Sequence, residues 1–309
     1  YGPSKELAAA IANRIGEVAA KLNRYPDRDA VNLRIGLAEY LKKQTKVDLE
    51  VENIWAANGS NEILQSIFLA FGSAKALGFV PSYSMHPLIG KVANVEWVDG
   101  ARNADFTLDL ASALKQIAEL KPALTFITTP NNPTGTAVRI SEIEELAKAA
   151  AIVNGLLVVD EAYAEFSSQK SAITLSEKYP NVLVSRTMSK AFAFAGVRLG
   201  YMAANKAVVD AIQLVRLPYH LSAITQAAAE VALDFQDELL AEVAKLSADR
   251  DFLSAALKEL GLTVIPSDAN FILFTGFKQS SNELWQKLLA EGVLIRDVGL
   301  AGYLRVTIG

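Results

Sequence analysis

The chain is 309 residues long, 51% hydrophobic and 21% charged, the profile of a globular protein with a large core in one big domain or two unequal ones. Its net charge of −4 gives no reason to expect nucleic acid or an anionic membrane as partner. With no cysteine and only two histidines, His86 and His220, the chain has no disulfide, no thiol nucleophile and no multi-histidine metal centre, so lysine and carboxylate chemistry remains, alone or with an organic cofactor.

No apolar run approaches the roughly 18 residues of a membrane span, and no charged-then-apolar leader opens the sequence. A reducing cytoplasm is compatible with the cysteine-free composition. The sequence starts at Tyr1 and stops at Gly309, directly after an apolar run that reads as a strand, so both ends are expected to lack pieces.

Lys5–Leu22 reads as an opening helix. Leu33, Leu37, Tyr40 and Leu41 mark an amphipathic second one, and a third follows Asn58-Gly59-Ser60-Asn61. Between residues 50 and 205, short β-branched or apolar runs alternate with helical patterns, the sign of a largely parallel sheet covered by helices. The runs that read as strands are Ala76–Val80, Val95–Val98, Leu124–Thr129, Leu156–Asp160, Val182–Ser185 and Leu199–Met202. Ser141 with Glu144 reads as a capping box ahead of Ile143, Leu146, Ala147 and Ala150. Beyond residue 206 an alanine-rich helical stretch runs through Glu259. Short strands are expected at Thr263–Ile265, Phe271–Phe274, Val293–Arg296 and Tyr303–Thr307, with a helix at Leu284, Trp285, Leu288 and Leu289. The expected division is a large domain at 25–220 and a smaller α+β domain from 1–24 and 221–309.

Ligands of open α/β sheets bind beyond the carboxyl ends of the parallel strands, so the residues after each strand are informative. Pro81-Ser82-Tyr83 follows one run, and Pro130-Asn131-Asn132-Pro133-Thr134-Gly135 follows another. A third run ends in Asp160-Glu161-Ala162-Tyr163, and a fourth leads into Arg186-Thr187-Met188-Ser189-Lys190. An aromatic face, an amide, a carboxylate, a phenol, two hydroxyls and a lysine thus converge on one edge. Pyridoxal phosphate needs such a set: a lysine for an imine, a carboxylate for its pyridine nitrogen, donors for its ring oxygen and a phosphate cradle. Thr187, Ser189, Arg198 and amides of the helix starting near Ser60 can supply the cradle.

In order and spacing, Pro130–Gly135, Asp160–Tyr163, Ser189-Lys190 and Gly196-Val197-Arg198-Leu199-Gly200 resemble the fold-type I aminotransferases. Tyr1-Gly2-Pro3, Arg24-Tyr25-Pro26-Asp27, Pro81-Ser82-Tyr83-Ser84-Met85 and Leu294-Ile295-Arg296-Asp297 resemble the histidinol-phosphate aminotransferases among them. The resemblance implies an α/β fold, with a largely parallel seven-stranded sheet sandwiched by helices and a smaller α+β domain. It also implies that Lys190 forms the internal aldimine and shuttles the proton, and that Asp160 pairs with the pyridine nitrogen. Asn132 and Tyr163 would bond the ring oxygen and lower the imine's pKa, and Tyr83 would stack on the ring. Ser60, Asn61, Thr187, Ser189 and Arg198 would hold the phosphate. Tyr25 would reach the cofactor phosphate of a second subunit in a homodimer. Arg305, joined by Arg296, would bind the anionic end of histidinol phosphate or of glutamate and 2-oxoglutarate. Tyr1, Tyr83 and Tyr219 form a candidate cage for an imidazole.

Other readings stand beside these. Gly59-Ser60-Asn61 also fits an ordinary helix cap, Tyr83 a buried aromatic, and Arg296 and Arg305 surface ion pairs. His86 and His220 read as structural. An aromatic amino-acid aminotransferase shares nearly every cofactor contact, and a pyridoxal-phosphate-dependent phosphoamino-acid decarboxylase shares the scaffold. A non-catalytic pyridoxal-phosphate-sensing module of a transcription regulator would need a basic DNA-binding segment, and none is visible.

Overall fold

A computed structural model describes residues 2–309; Tyr1, expected at the substrate, lies outside the described residues. The first helix, α1 (Lys5–Ala19), begins where Ser4 Oγ accepts the N–H of Leu7 at 3.1 Å, which satisfies one of the free amides of its first turn. Helix α2 (Val31–Thr45) buries Leu33, Leu37, Tyr40 and Leu41, as their spacing predicts. From the same helix, buried Arg34 donates to Ile54 O at 2.7 Å and Val51 O at 2.8 Å, fastening α2 to the sheet.

That sheet has seven strands: β1 (Ile54–Ala57), β2 (Ala76–Val80), β3 (Trp97–Ala101), β4 (Leu124–Thr128), β5 (Leu156–Asp160), β6 (Val182–Thr187) and β7 (Gly200–Ala204). Their spatial order is β1-β7-β6-β5-β4-β2-β3. Strands β2 to β6 pair in parallel, while β7 runs antiparallel to both β6 and β1. Helices α3 (Ser60–Phe71), α4 (Met85–Val92), α5 (Leu110–Leu120) and α6 (Ile140–Ile152) connect the parallel strands and cover the sheet. Both faces are apolar, as a doubly covered parallel sheet requires. Phe126, Val158 and Leu183 pack into one hydrophobic cluster, whereas their neighbours Ile127, Val159 and Val184 pack into the other. This two-residue alternation decides which face receives each functional side chain at the strand ends.

Three helices follow, α7 (Lys206–Val215), α8 (Ala223–Asp234) and α9 (Gln236–Glu259), where one long helical stretch is expected. Helix α1 packs on α8. A second, antiparallel sheet of order β10-β9-β8 combines β8 (Thr263–Val264), β9 (Phe271–Thr275) and β10 (Leu304–Thr307), with α10 (Ser281–Ala290) between the last two. No described helix is long and apolar enough to cross a membrane.

Several expectations are corrected. Strand β1 is not anticipated by the sequence, because Ile-Trp-Ala-Ala is short and half alanine. Strand β3 begins two residues later than Val95, whose N–H instead closes the end of α4 onto Gly90 O at 2.9 Å. No strand forms at Val293–Arg296. Gly292, at φ +80°, ends α10 and Val293 N–H turns back to Leu288 O at 2.8 Å, leaving a single bridge between Arg296 and Arg305. The expected cap at Ser141 falls inside α6. The carboxylate of Glu142 accepts the Arg139 N–H at 3.0 Å there, and Glu144 pairs with Lys178 and Tyr179, each at 2.7 Å.

Candidate active site

The carboxyl ends of β4, β5 and β6, the amino end of α3 and the chain entering β7 surround a cavity of about 240 Å³. Asp160, the last residue of β5, and Lys190, four residues after Arg186 on the loop leaving β6, both line it. So do Tyr83, Asn132 and Tyr163 from the intervening loops, and Ser60, Asn61, Thr187, Ser189 and Arg198 from the helix and strand ends. Arg305, on β10 of the second sheet, closes the cavity from the other side.

Asp160 is buried, and its Oδ2 lies 3.0 Å from Nε2 of His86, which is buried on the first turn of α4. Aromatic rings confine that imidazole, with Phe126 at 5.1 Å and Tyr83 edge-on at 5.4 Å between centroids. His86, expected only as a structural residue, is thus the partner of Asp160; its place three residues after Tyr83, in a helix opening after a parallel strand, is the signal the sequence carries.

Lys190 is half-buried, its Nζ 5.5 Å from the centre of the Tyr163 ring. Burial, then the charges of Arg305 and Arg198, hold its amine below the ordinary lysine range, which favours the neutral, nucleophilic form. Burial pushes the Tyr163 phenol up to about 12 against the pull of Arg305, so it stays a neutral donor near pH 7. Burial, with Asp160 second, also raises Tyr83, whose OH donates to Asn61 Oδ1 at 3.1 Å.

Groups able to hold an anion gather around the amino end of α3. Ser60 and Asn61 open α3, whose free N–H groups face the cavity edge. Gly59, at φ +78°, turns the chain into that helix, and a Cβ on it would stand 2.5 Å from Arg198 Nη2. Thr187 Oγ1 donates to Leu199 O at 3.1 Å and accepts the N–H of Ser189 at 3.1 Å, which sets both hydroxyls side by side.

Arg305 Nη1 donates to Asn132 Oδ1 at 2.7 Å, and its guanidinium lies 4.7 Å over the Phe271 ring. Its Nε is buried without a hydrogen-bond partner among the described residues, and burial lowers its pKa. Arg305 also lines a neighbouring cavity of about 500 Å³ together with Trp285, Asn282 and Arg296. Arg296 exchanges backbone bonds of 2.9 Å with Arg305, but its side chain is exposed and lines the second cavity and not the first; a long cation there keeps its head in water. Tyr25 is 80% exposed and stacks on Tyr219 at 4.5 Å; neither ring lines the first cavity. The structure therefore does not assemble the Tyr83 and Tyr219 parts of the expected imidazole cage.

The residues present fit pyridoxal phosphate. Three cations, Lys190, Arg198 and Arg305, face one buried carboxylate, so the cavity is electropositive and suits a phosphorylated ring. The backbone approach of Gly200 to Ser60 leaves the amino end of α3 open toward Thr187 and Arg198, where a phosphate would sit.

The family model of aminotransferase class I and II matches residues 2–309. The chain is 56% identical to the histidinol-phosphate aminotransferase of Nocardia farcinica, over all of this chain and 80% of that protein. It is 55% identical to the enzyme of that name from Mycolicibacterium smegmatis, over all of this chain and 82% of the relative. Its fold is similar to the solved histidinol-phosphate aminotransferase of Sinorhizobium meliloti in complex with pyridoxal 5'-phosphate. That match has a TM-score of 0.87 at 26% identity, covering 99% of this chain and 83% of the other. A family match over the whole described chain, around a cavity holding the expected lysine and carboxylate, gives one conclusion: the chain belongs to the class I and II aminotransferases.

Proposed function

We propose that this aminotransferase moves an amino group between L-histidinol phosphate and 2-oxoglutarate, with pyridoxal phosphate held on Lys190. The observation that carries the reading is the convergence of Lys190, Asp160, Arg198 and Arg305 on one cavity. The relatives' shared name supports the substrate. Bound there, pyridoxal phosphate supplies an electron sink for the charge left when the amino donor loses its Cα proton.

The chain's own residues do the rest. Lys190 would take that proton from Cα and return it to the cofactor carbon two atoms away. Asp160, itself held by His86, keeps the pyridine nitrogen protonated. Tyr163 and Asn132 donate to the ring oxygen. Arg305 occupies the Oδ1 of Asn132, so Nδ2 is the end left to face the ring. Tyr83 stacks on the ring, while Ser60, Asn61, Thr187, Ser189 and Arg198 grip the phosphate. Arg305 binds the anionic end that histidinol phosphate and glutamate have in common, and Arg296 turns in from the neighbouring cavity to join it.

A homodimer belongs to the same proposal. Tyr25, Val31, Ile35 and Leu217 leave apolar side chains exposed, which suits a second copy whose phosphate site Tyr25 would enter. So do a cytoplasmic location, suited to a cysteine-free chain, and the division into 25–220 and 1–24 with 221–309, which assigns each sheet to its own domain. The test is a half-reaction followed in the spectrophotometer. Histidinol phosphate should bleach the cofactor's visible band far faster than phenylalanine does. The opposite ranking points to the aromatic enzyme, and release of carbon dioxide to a decarboxylase.

A further inference from the structure

Behind the cavity, on the other face of the sheet, lies a cluster of charges that the mechanism does not use. Arg186 Nε and Nη2 donate to Glu161 Oε2 at 3.0 and 2.8 Å, and Nη1 donates to Glu165 Oε1 at 3.3 Å. All three side chains are at most 5% exposed. Glu161 also accepts the Ser171 hydroxyl at 2.7 Å and the Ala172 N–H at 2.6 Å, and Glu165 accepts the Tyr40 hydroxyl at 3.2 Å. Strand alternation puts the cluster there, since Asp160 and Thr187 face the cavity and their neighbours Glu161 and Arg186 face away.

Glu161 and Glu165 lie two residues before and two residues after Tyr163. Arg186 directly precedes the Thr187–Lys190 segment, and Glu161 directly follows Asp160. One guanidinium therefore joins the strand end carrying the lysine to both sides of the turn carrying the phenol. Two carboxylates against one cation is a costly arrangement for a core, and replacing buried ion networks by apolar side chains of the same volume often costs a protein no stability. Such groups contribute a fixed geometry instead. We propose that Arg186 is a positioning residue: by gripping Glu161 and Glu165 it holds the Tyr163 hydroxyl in register with the cofactor on Lys190. The inference rests on the assignment of Lys190 as the cofactor's lysine.

The test titrates the visible band of the cofactor-loaded protein with pH, alongside thermal melting. Arg186→Lys keeps the charge, but a single ammonium pairs with one carboxylate and releases the other. Weakening the Tyr163 bond to the ring oxygen destabilises the deprotonated chromophore, so its pKa should rise, by about half a unit to one unit for one ordinary hydrogen bond. In a Tyr163→Phe background the same substitution should move it no further. Glu165→Ala, which leaves Arg186 on Glu161, carries the same expectation if Arg186→Lys does not fold. Lower melting temperatures with an unmoved chromophore pKa, or an equal shift when position 163 is phenylalanine, would overturn the clamp. A wild-type chain without a visible band, or Lys190→Ala retaining one, would overturn the Lys190 assignment and the clamp with it.

Discussion

Gly200, the first residue of β7, is the position where one added methyl group should do most damage to cofactor binding. A Cβ there would stand 2.3 Å from Gly59 C and 2.3 Å from Ser60 N. Both are backbone atoms, and ordinary contact begins at 3.4 Å. Strand β7 cannot slide aside cheaply, because Gly200 is paired with Ala57 on one side and Thr187 on the other. The relief must come from the amino end of α3, pushed by roughly an ångström out of its place beside Arg198. Overpacking of this kind costs about 1–3 kcal/mol of stability. The displaced Ser60 amide would also lose the bond proposed for it with the phosphate, and a hydrogen bond to a charged group contributes about 1.5–3 kcal/mol. Gly200→Ala should therefore weaken pyridoxal phosphate binding by about 10- to 150-fold. Titrating the cofactor-free protein with pyridoxal phosphate by absorbance measures this, and a thermal melt reads the packing cost. Gly196→Ala, four residues earlier and with nothing within 4 Å of its Cβ among the described residues, is the control and should bind normally. A Gly200→Ala protein with wild-type affinity would refute the placement of the phosphate at this helix end.

Three further outcomes are expected. In the cofactor-free protein the depressed pKa of Lys190 means that the folded state pays for the charged amine at neutral pH. Lys190→Met should raise the melting temperature there, and its advantage should shrink as pH climbs from the folded pKa to the unperturbed 10.5; a pH-independent difference would contradict this. Asp160→Asn removes the carboxylate proposed to pair with the pyridine nitrogen and should lower kcat by about two orders of magnitude or more, with a smaller change in cofactor affinity, read by steady-state kinetics and titration. Arg305→Lys should raise the KM for histidinol phosphate by about 10- to 100-fold through the lost forked contact, and Arg296→Lys by less, because its side chain lies in the neighbouring cavity. Equal effects would mean that the two arginines contribute alike.

The parts of this protein that chemistry constrains tightly were legible in the sequence. Asn132, Asp160, Tyr163 and Lys190 stand directly after runs of Leu, Ile and Val that form buried parallel strands, and the edge they share follows from strand direction. What escaped was set by partners distant along the chain. His86 meets Asp160 across 74 residues; its position just after Tyr83 places it near the site but does not name the carboxylate it meets. Arg186, Glu161 and Glu165 carry no sequence signal of their mutual pairing, because the three side chains are buried together from separate segments. The segment Val293–Arg296 has strand composition, but Gly292 diverts its first amide to the helix end. Strand β1 shows the reverse, with weak composition overridden by pairing to β7.

The account depends on Lys190 being the residue that carries the cofactor. Loading the protein with pyridoxal phosphate, reducing it with borohydride and mapping peptides by mass spectrometry tests this directly. A single pyridoxyl group on the peptide containing Ser189-Lys190 is the expected result. A label on another lysine, or none on a protein that has bound the cofactor, would contradict it.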